Sequence, residues 1–164
     1  MLFRSDVSNR LSAVEEVIEE ASHKVLIFAP FRHTIQLLHS HLTKAGVVCD
    51  CIHGDVPVHA RTSIFKRFQE DDNALRVLII QPQAAAHGVT LTAADTIIWY
   101  APVTSTETYL QANARIDRPG QRNAMTIIHI EGSPVERKLY YMLRNNINNH
   151  EKVVELYRKE MEET

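Results

Sequence analysis

The chain has 164 residues, enough for one ordinary domain with a real core, and its 45% hydrophobic and 23% charged content is that of a soluble globular protein. A formal net charge of −2 excludes a global basic field drawing it onto nucleic acid, and leaves room only for a locally clustered basic groove. No stretch approaches a membrane span, and the opening MLFRSDVSNR lacks the apolar core of a signal peptide.

Residues 5–22 carry Val7, Leu11, Val14, Val17 and Ile18 at helical spacing. KVLIFAP (24–30) is a continuous apolar run stopped by proline and reads as a buried parallel strand. Residues 33–44 return to helical spacing through Ile35, Leu38 and Leu42, with Gly46 as terminator. VVCDCIHG (47–54) predicts a second strand, and residues 57–69 a helix that opens on proline and places Ile64, Phe65 and Phe68 on one face. Further strands are predicted at 75–82, 96–102 and 125–132, with a helix over roughly 105–116. SPVERKLYYMLRNN and EKVVELYRKEME are helical by pattern, and NNINNH (145–150) marks a break between them.

Strands alternating with helices imply a single α/β domain, 1–164, with a mostly parallel central sheet. Its core spans about 24–143, flanked by helices at 5–22 and about 150–163. Phe28, Phe65, Phe68 and Trp99 are expected in that core. Open parallel sheets bind ligands at the carboxyl ends of their strands. The segments after Pro30, Gly54, Gln81 and Pro102 are therefore expected to share one functional rim.

Cys49 and Cys51 stand at i and i+2 of a strand, too far apart for an unstrained bridge, and are expected as reduced thiols, which fits the cytoplasm. Of the nine histidines, His39 and His41 diverge on a helix, and no HExxH or CxxC is present, so no metal site is expected.

Four blocks expected on that rim carry chemistry. They are FAPFRHT, HGDVPVHARTSIFKRFQ (with Gly54, Arg61 and Phe68), QPQAAAHGVTLTAADTIIWY, and QANARIDRPGQ at 111–121. On a helix reaching 116, Arg115 and Arg118 lie about one turn apart and can face one cleft. Such a pair can be a solvated surface bonded to Glu107 or Asp117, a phosphate clamp, or half of a catalytic site completed by another domain.

In this order the blocks resemble the second RecA-like domain of superfamily 2 helicases, specifically the SWI/SNF-type DNA translocases. The family's sixth motif, close to Q-A-x-x-R-x-x-R-x-G-Q, is matched by Gln111, Ala112, Arg115, Arg118, Gly120 and Gln121. Its fifth motif, roughly G-x-N-L-T-x-A-D, is met by Gly88, Leu91, Thr92, Ala94 and Asp95. Thr90 stands where many members have Asn, and Ala114 where many have Asp. Tyr100-Ala101-Pro102 departs from the pattern of eukaryotic remodellers, and TSTETYLQANARIDRPGQ resembles the bacterial and bacteriophage branch. The resemblance runs from about Lys24 to Leu143.

The resemblance implies a RecA-like three-layer α/β domain of the P-loop NTPase type. It implies that Arg115 and Arg118 act as arginine fingers, inserted onto ATP held by a preceding RecA-like domain, with Gln111 orienting the γ-phosphate or holding the interface. Gly88 and Asp95 would lie on the nucleotide side. Arg32, His33, Arg61, Gln81 and Thr92 would contact the phosphate backbone of double-stranded DNA. The chain contains neither G-x-x-x-x-G-K-[ST] nor Asp-Glu-x-His. ATP and Mg²⁺ are therefore expected to be held mainly by the N-terminal RecA-like partner domain, and this chain alone to be inert. The implied location is the cytoplasm of a bacterial or bacteriophage-infected cell. Two alternatives are a non-catalytic RecA-like module docking DNA or protein, and another superfamily 2 activity such as a restriction motor or RNA helicase.

Overall fold

The computed structural model describes residues 6–85, 88–146 and 158–162. The apolar runs become the strands of one five-stranded sheet, all parallel, in the order β2-β3-β1-β4-β5. Its three central strands, β1 (Lys24–Phe28), β3 (Val77–Ile80) and β4 (Ala94–Trp99), are buried at every residue. The edge strands β2 (Cys49–Ile52) and β5 (Thr126–His129) are only partly covered. A strand sandwiched between helical layers must be apolar on both faces, which is why the central runs do not alternate.

Side chains nonetheless leave β1 alternately for two cores. Val25 and Ile27 meet Leu11, Val14 and Ile18 of α1 (Asp6–Glu20) and Ile35, Leu38 and Leu42 of α2 (Arg32–Lys44). Leu26 and Phe28 face the opposite layer, built by α3 (Val58–Gln69), α4 (Thr106–Asn113) and α5 (Pro134–Arg144). Phe28, Phe68 and Trp99 are fully buried there and Phe65 packs against them, as expected. Ser105 and Ser133 cap α4 and α5 by accepting the backbone N–H of Thr108 (3.2 Å) and Glu136 (3.1 Å). The result is the three-layer α/β architecture expected from the alternation. Cys49 and Cys51 are free thiols. Residues 158–162 are helical, and the rest of the helix expected at about 150–163 lies outside the described residues, apart from that stretch.

Two expectations are corrected. The helix expected to reach 116 stops at Asn113, so Arg115 and Arg118 do not share a helical face. Nor do the four blocks share one rim. α4 leaves the carboxyl edge of the sheet and runs back for eight residues, about 12 Å, delivering residues 114–121 to the amino edge. The β3–β4 connection also descends to that edge, past a 3₁₀ turn at Pro82–Ala85, so the segment from Gly88 to Thr92 arrives there before β4 begins. The carboxyl edge keeps Arg32, His33, Arg61 and Gln81.

Candidate functional site

At the amino edge the chain leaves α4 through tight turns. Arg115 N donates to Ala112 O (3.1 Å), and Gln121 N to Arg118 O (3.0 Å), with Gly120 at φ +103° completing the second turn. The Arg115 side chain folds inward and the residue is only 7% exposed. Its Nε donates to Gln111 O at 2.8 Å, while its Nη1 is buried with no hydrogen-bond partner among the described residues. Burial lowers the guanidinium pKa from its ordinary value, and the neighbouring charge of Arg118 lowers it further. A buried guanidinium donor left unpaired is costly, which is why such groups are nearly always matched by an anion.

Arg118, half-buried, donates from Nη1 to Gly88 O (3.0 Å) and Thr90 Oγ1 (3.2 Å). Gly88 sits at φ +80°, and a Cβ placed there would lie 3.9 Å from Arg115 Nη1. Both arginines therefore converge on Gly88 from the turn after α4. Neither forms an ion pair with Glu107 or Asp117 among the described residues, and Glu107 instead accepts from Gln111 Nε2 at 3.1 Å. The solvated-pair reading does not describe this edge.

The loop beneath the arginines is held at several points. Leu91 N donates to Arg115 O at 2.9 Å. Gln121 Nε2 donates to Ala94 O and Ile116 O, both at 2.9 Å, and its Oε1 accepts Asn123 N at 3.2 Å. Gln121 thus clasps the arginine-bearing turn to the start of β4, a role that motif matching alone did not assign. Asp95 is differently employed: its carboxylate binds His23 Nδ1 at 2.7 Å and accepts the Thr96 hydroxyl at 3.1 Å. That ties the α1–β1 connection to β4 and takes up the carboxylate expected on the nucleotide side. Beside the turn, a groove of about 670 Å³ is lined by Lys24, Gln69, Thr92, Gly120 and Arg122 among others.

The carboxyl edge is built from braces. Arg61 donates from Nε to Val56 O (2.9 Å) and from Nη2 to His53 O and Gly54 O (3.2 Å each), closing the β2–α3 loop on itself. Gln81 Oε1 accepts Gly54 N at 3.0 Å, and its Nε2 reaches Pro30 O at 3.4 Å. The amide expected to meet DNA therefore links two neighbouring loops. Arg32 and His33 are exposed; Arg32 pairs with Asp55 across the same edge, and His33 stacks beside Phe31. Thr92 is separated from this group, lying at the amino edge where its hydroxyl accepts from Gln69.

Chemically, two guanidinium groups that form no ion pair among the described residues give the amino edge the donors an anion would accept. Elsewhere, His39, Asp50 and Cys51 bring donor atoms within 4.8 Å of one another. Asp50 is already committed there, to Arg67 at 2.8 Å and to Cys51 N at 2.9 Å.

Residues 9–120 match the family described as helicase conserved C-terminal domain. Similar proteins include the CHD3-type chromatin-remodeling factor CHR7 of Arabidopsis thaliana, 27% identical over 87% of this chain and 12% of its own length. Chromodomain-helicase-DNA-binding protein 8 of Homo sapiens is 30% identical over 75% of this chain and 5% of its own. A Caenorhabditis elegans homologue of SWI/SNF-related matrix-associated actin-dependent regulator of chromatin subfamily A-like protein 1 is 34% identical over 65% and 15%. The chain thus spans between 5% and 15% of the length of these relatives. Among solved structures, the C-terminal part of the Fun30 ATPase domain superposes with a TM-score of 0.75 at 22% identity, over 82% of this chain and 44% of that one, a likeness of fold. These relatives are eukaryotic, and the placement in a bacterial or bacteriophage branch gains no support from them. No helix among the described residues is long and apolar enough to cross a membrane.

Proposed function

The chain belongs to the helicase conserved C-terminal domain family, and from that premise we propose that it is the second motor domain of an ATP-dependent, SWI/SNF-type DNA translocase. In this reading an N-terminal RecA-like domain holds ATP and Mg²⁺, and the amino edge of this chain closes on the γ-phosphate. The observation that carries it is the buried Nη1 of Arg115, without a hydrogen-bond partner among the described residues, beside a second arginine and a glycine backbone.

A transferring phosphoryl group spreads negative charge over its equatorial oxygens, and preorganised guanidinium donors stabilise that charge more than they stabilise the ground state. Arg115 is already folded and desolvated, and its buried Nη1 becomes accessible to the anion only as the edge opens onto the partner domain. Arg118, held by Gly88 O and Thr90 Oγ1, is the more exposed of the two and the one positioned to reach outward. Gln111 holds Arg115 Nε through its backbone carbonyl, a bond that any residue at this position would supply, while its side chain donates to Glu107. Arg32 and His33 at the start of α2 remain the candidates for phosphate-backbone contacts with duplex DNA, while Arg61 and Gln81 shape the edge that presents them.

ATP hydrolysis by the isolated chain tests this division of labour. No turnover is expected with or without duplex DNA, because phosphate-loop and Asp-Glu-x-His residues are absent from the sequence. Robust DNA-stimulated hydrolysis by this chain alone would refute it.

A further inference from the structure

The segment from Gly88 to Ala93 carries the groups that receive Arg118, yet it has no regular secondary structure of its own before β4. Something outside the turn must fix it, and that support comes from the end of α3. Gln69, the last residue of that helix, accepts Ala93 N at Oε1 (2.7 Å) and donates from Nε2 to Thr92 Oγ1 (3.1 Å). A single amide thus grips both a backbone and a side-chain group of the loop.

The base of this grip is rigid. Lys24, buried at the start of β1, donates from Nζ to Phe68 O (2.8 Å) and Glu70 O (2.7 Å), so the carbonyls on either side of Gln69 are pinned to the central strand. The preceding side chain, Phe68, is fully buried in the core. Gln69 therefore projects from a fixed helix terminus, and two of the four hydrogen-bonding positions of its amide are spent on adjacent loop residues. From there the chain of contacts is short: Thr92 lies against Gly120, Leu91 N binds Arg115 O, and Gly88 and Thr90 bind Arg118.

We propose that Gln69 is a positioning residue for the arginine pair, acting through the 88–93 loop without itself meeting nucleotide. This rests on the reading that the arginines serve ATP bound by a partner domain. Misplacing a catalytic group by a fraction of its reach lowers turnover more than it lowers substrate binding, because alignment matters most in the transition state.

The test uses the assembled two-domain ATPase at saturating duplex DNA, with folding of each variant checked by circular dichroism. Gln69→Met keeps the length of the side chain and removes both hydrogen bonds; it is expected to lower kcat about tenfold and leave KM for ATP within about twofold. Gln69→Glu keeps an acceptor for Ala93 N and can accept a hydrogen bond from the Thr92 hydroxyl, so turnover is expected to return to within about twofold of wild type. Should Gln69→Met not fold, Thr92→Val, which removes the Nε2 contact alone, decides the matter through the same kcat and KM split. Wild-type kcat in Gln69→Met, or in Thr92→Val where that variant decides, overturns the proposal, as does equal loss in Gln69→Glu and Gln69→Met. Arg118→Ala in parallel separates the two failures. If it abolishes turnover while Gln69→Met does not, only the positioning role falls; if it leaves turnover intact, the arginine reading falls and this proposal with it.

Discussion

Replacing Arg118 by alanine in the assembled two-domain protein is expected to lower DNA-stimulated ATP turnover by about 10³–10⁵-fold, the usual contribution of an arginine finger. Lysine at the same position should recover little of it, since an ammonium cannot reproduce the planar, two-donor geometry that a phosphoryl group requires. Arg115→Met is expected to lower turnover as well, but with the opposite effect on the folded chain. The wild-type guanidinium is buried beside a like charge and its Nη1 has no hydrogen-bond partner among the described residues, so its removal relieves a cost while the methionine keeps much of the packing of the stem. An increase in stability of about 1 kcal/mol is expected in chemical denaturation. Loss of function together with gained stability distinguishes a group held ready for an absent anion from one that merely supports the fold. Loss of both would assign Arg115 to structure.

The second large effect concerns the ion pair between α1 and α5. Arg10 and Glu136 have side chains only 13% and 7% exposed. Arg10 bonds Glu136 through Nη2 and donates from Nη1 to Tyr100 O at 2.7 Å, with its guanidinium over the Tyr100 ring. The same carboxylate oxygen accepts Gly132 N at 2.7 Å. Burial pushes the Glu136 carboxyl above its ordinary pKa, and the Arg10 charge opposes that shift. Arg10→Met strands the carboxylate and is expected to cost about 3–5 kcal/mol at neutral pH. Combining it with Glu136→Gln should return most of that loss, because neither charge then remains buried. The pH dependence has a definite sign. A carboxyl whose folded pKa is raised contributes stability below its unfolded pKa and loses it as pH rises through the folded value. In Arg10→Met the opposing charge is gone, so the deficit should be smallest in mild acid and grow toward neutrality. Denaturation midpoints of the chain across that range measure it.

Much of the fold was legible because the central strands are uninterrupted apolar runs, and the helices α2 and α3 keep their apolar residues on one face. The position of the chemistry was less legible. Helical periodicity extends through Ile116, yet α4 ends at Asn113, where the chain turns and Arg115 O accepts the distant Leu91 N. The general rule that open sheets bind at their carboxyl ends pointed to one rim. It could not foresee that a short α4 would carry the arginines to the other. Gly88 was readable as a special position, and its φ of +80° shows the physical reason.

Residues assigned to phosphate contacts by the resemblance fared differently. Arg61 and Gln81 have the right donors, but those donors close the β2–α3 loop and bridge it to Pro30. Asp95 is likewise taken up by His23, a residue 72 positions away, which no local pattern reveals. Gln69 offered no signal at all. A polar residue after a buried phenylalanine at a helix end looks solvated until the loop it grips is in place.

The central claim is that this domain contributes to the transition state of a reaction whose substrate another domain holds. It is tested most directly by the affinity of the two-domain protein for ADP with aluminium fluoride, a mimic of the transferring phosphoryl group, compared with ADP alone. Wild type should bind the mimic more tightly than ADP, and Arg118→Ala should lose that excess while keeping its affinity for ADP. An unchanged preference for the mimic in Arg118→Ala, or an equal loss for both ligands, would contradict it.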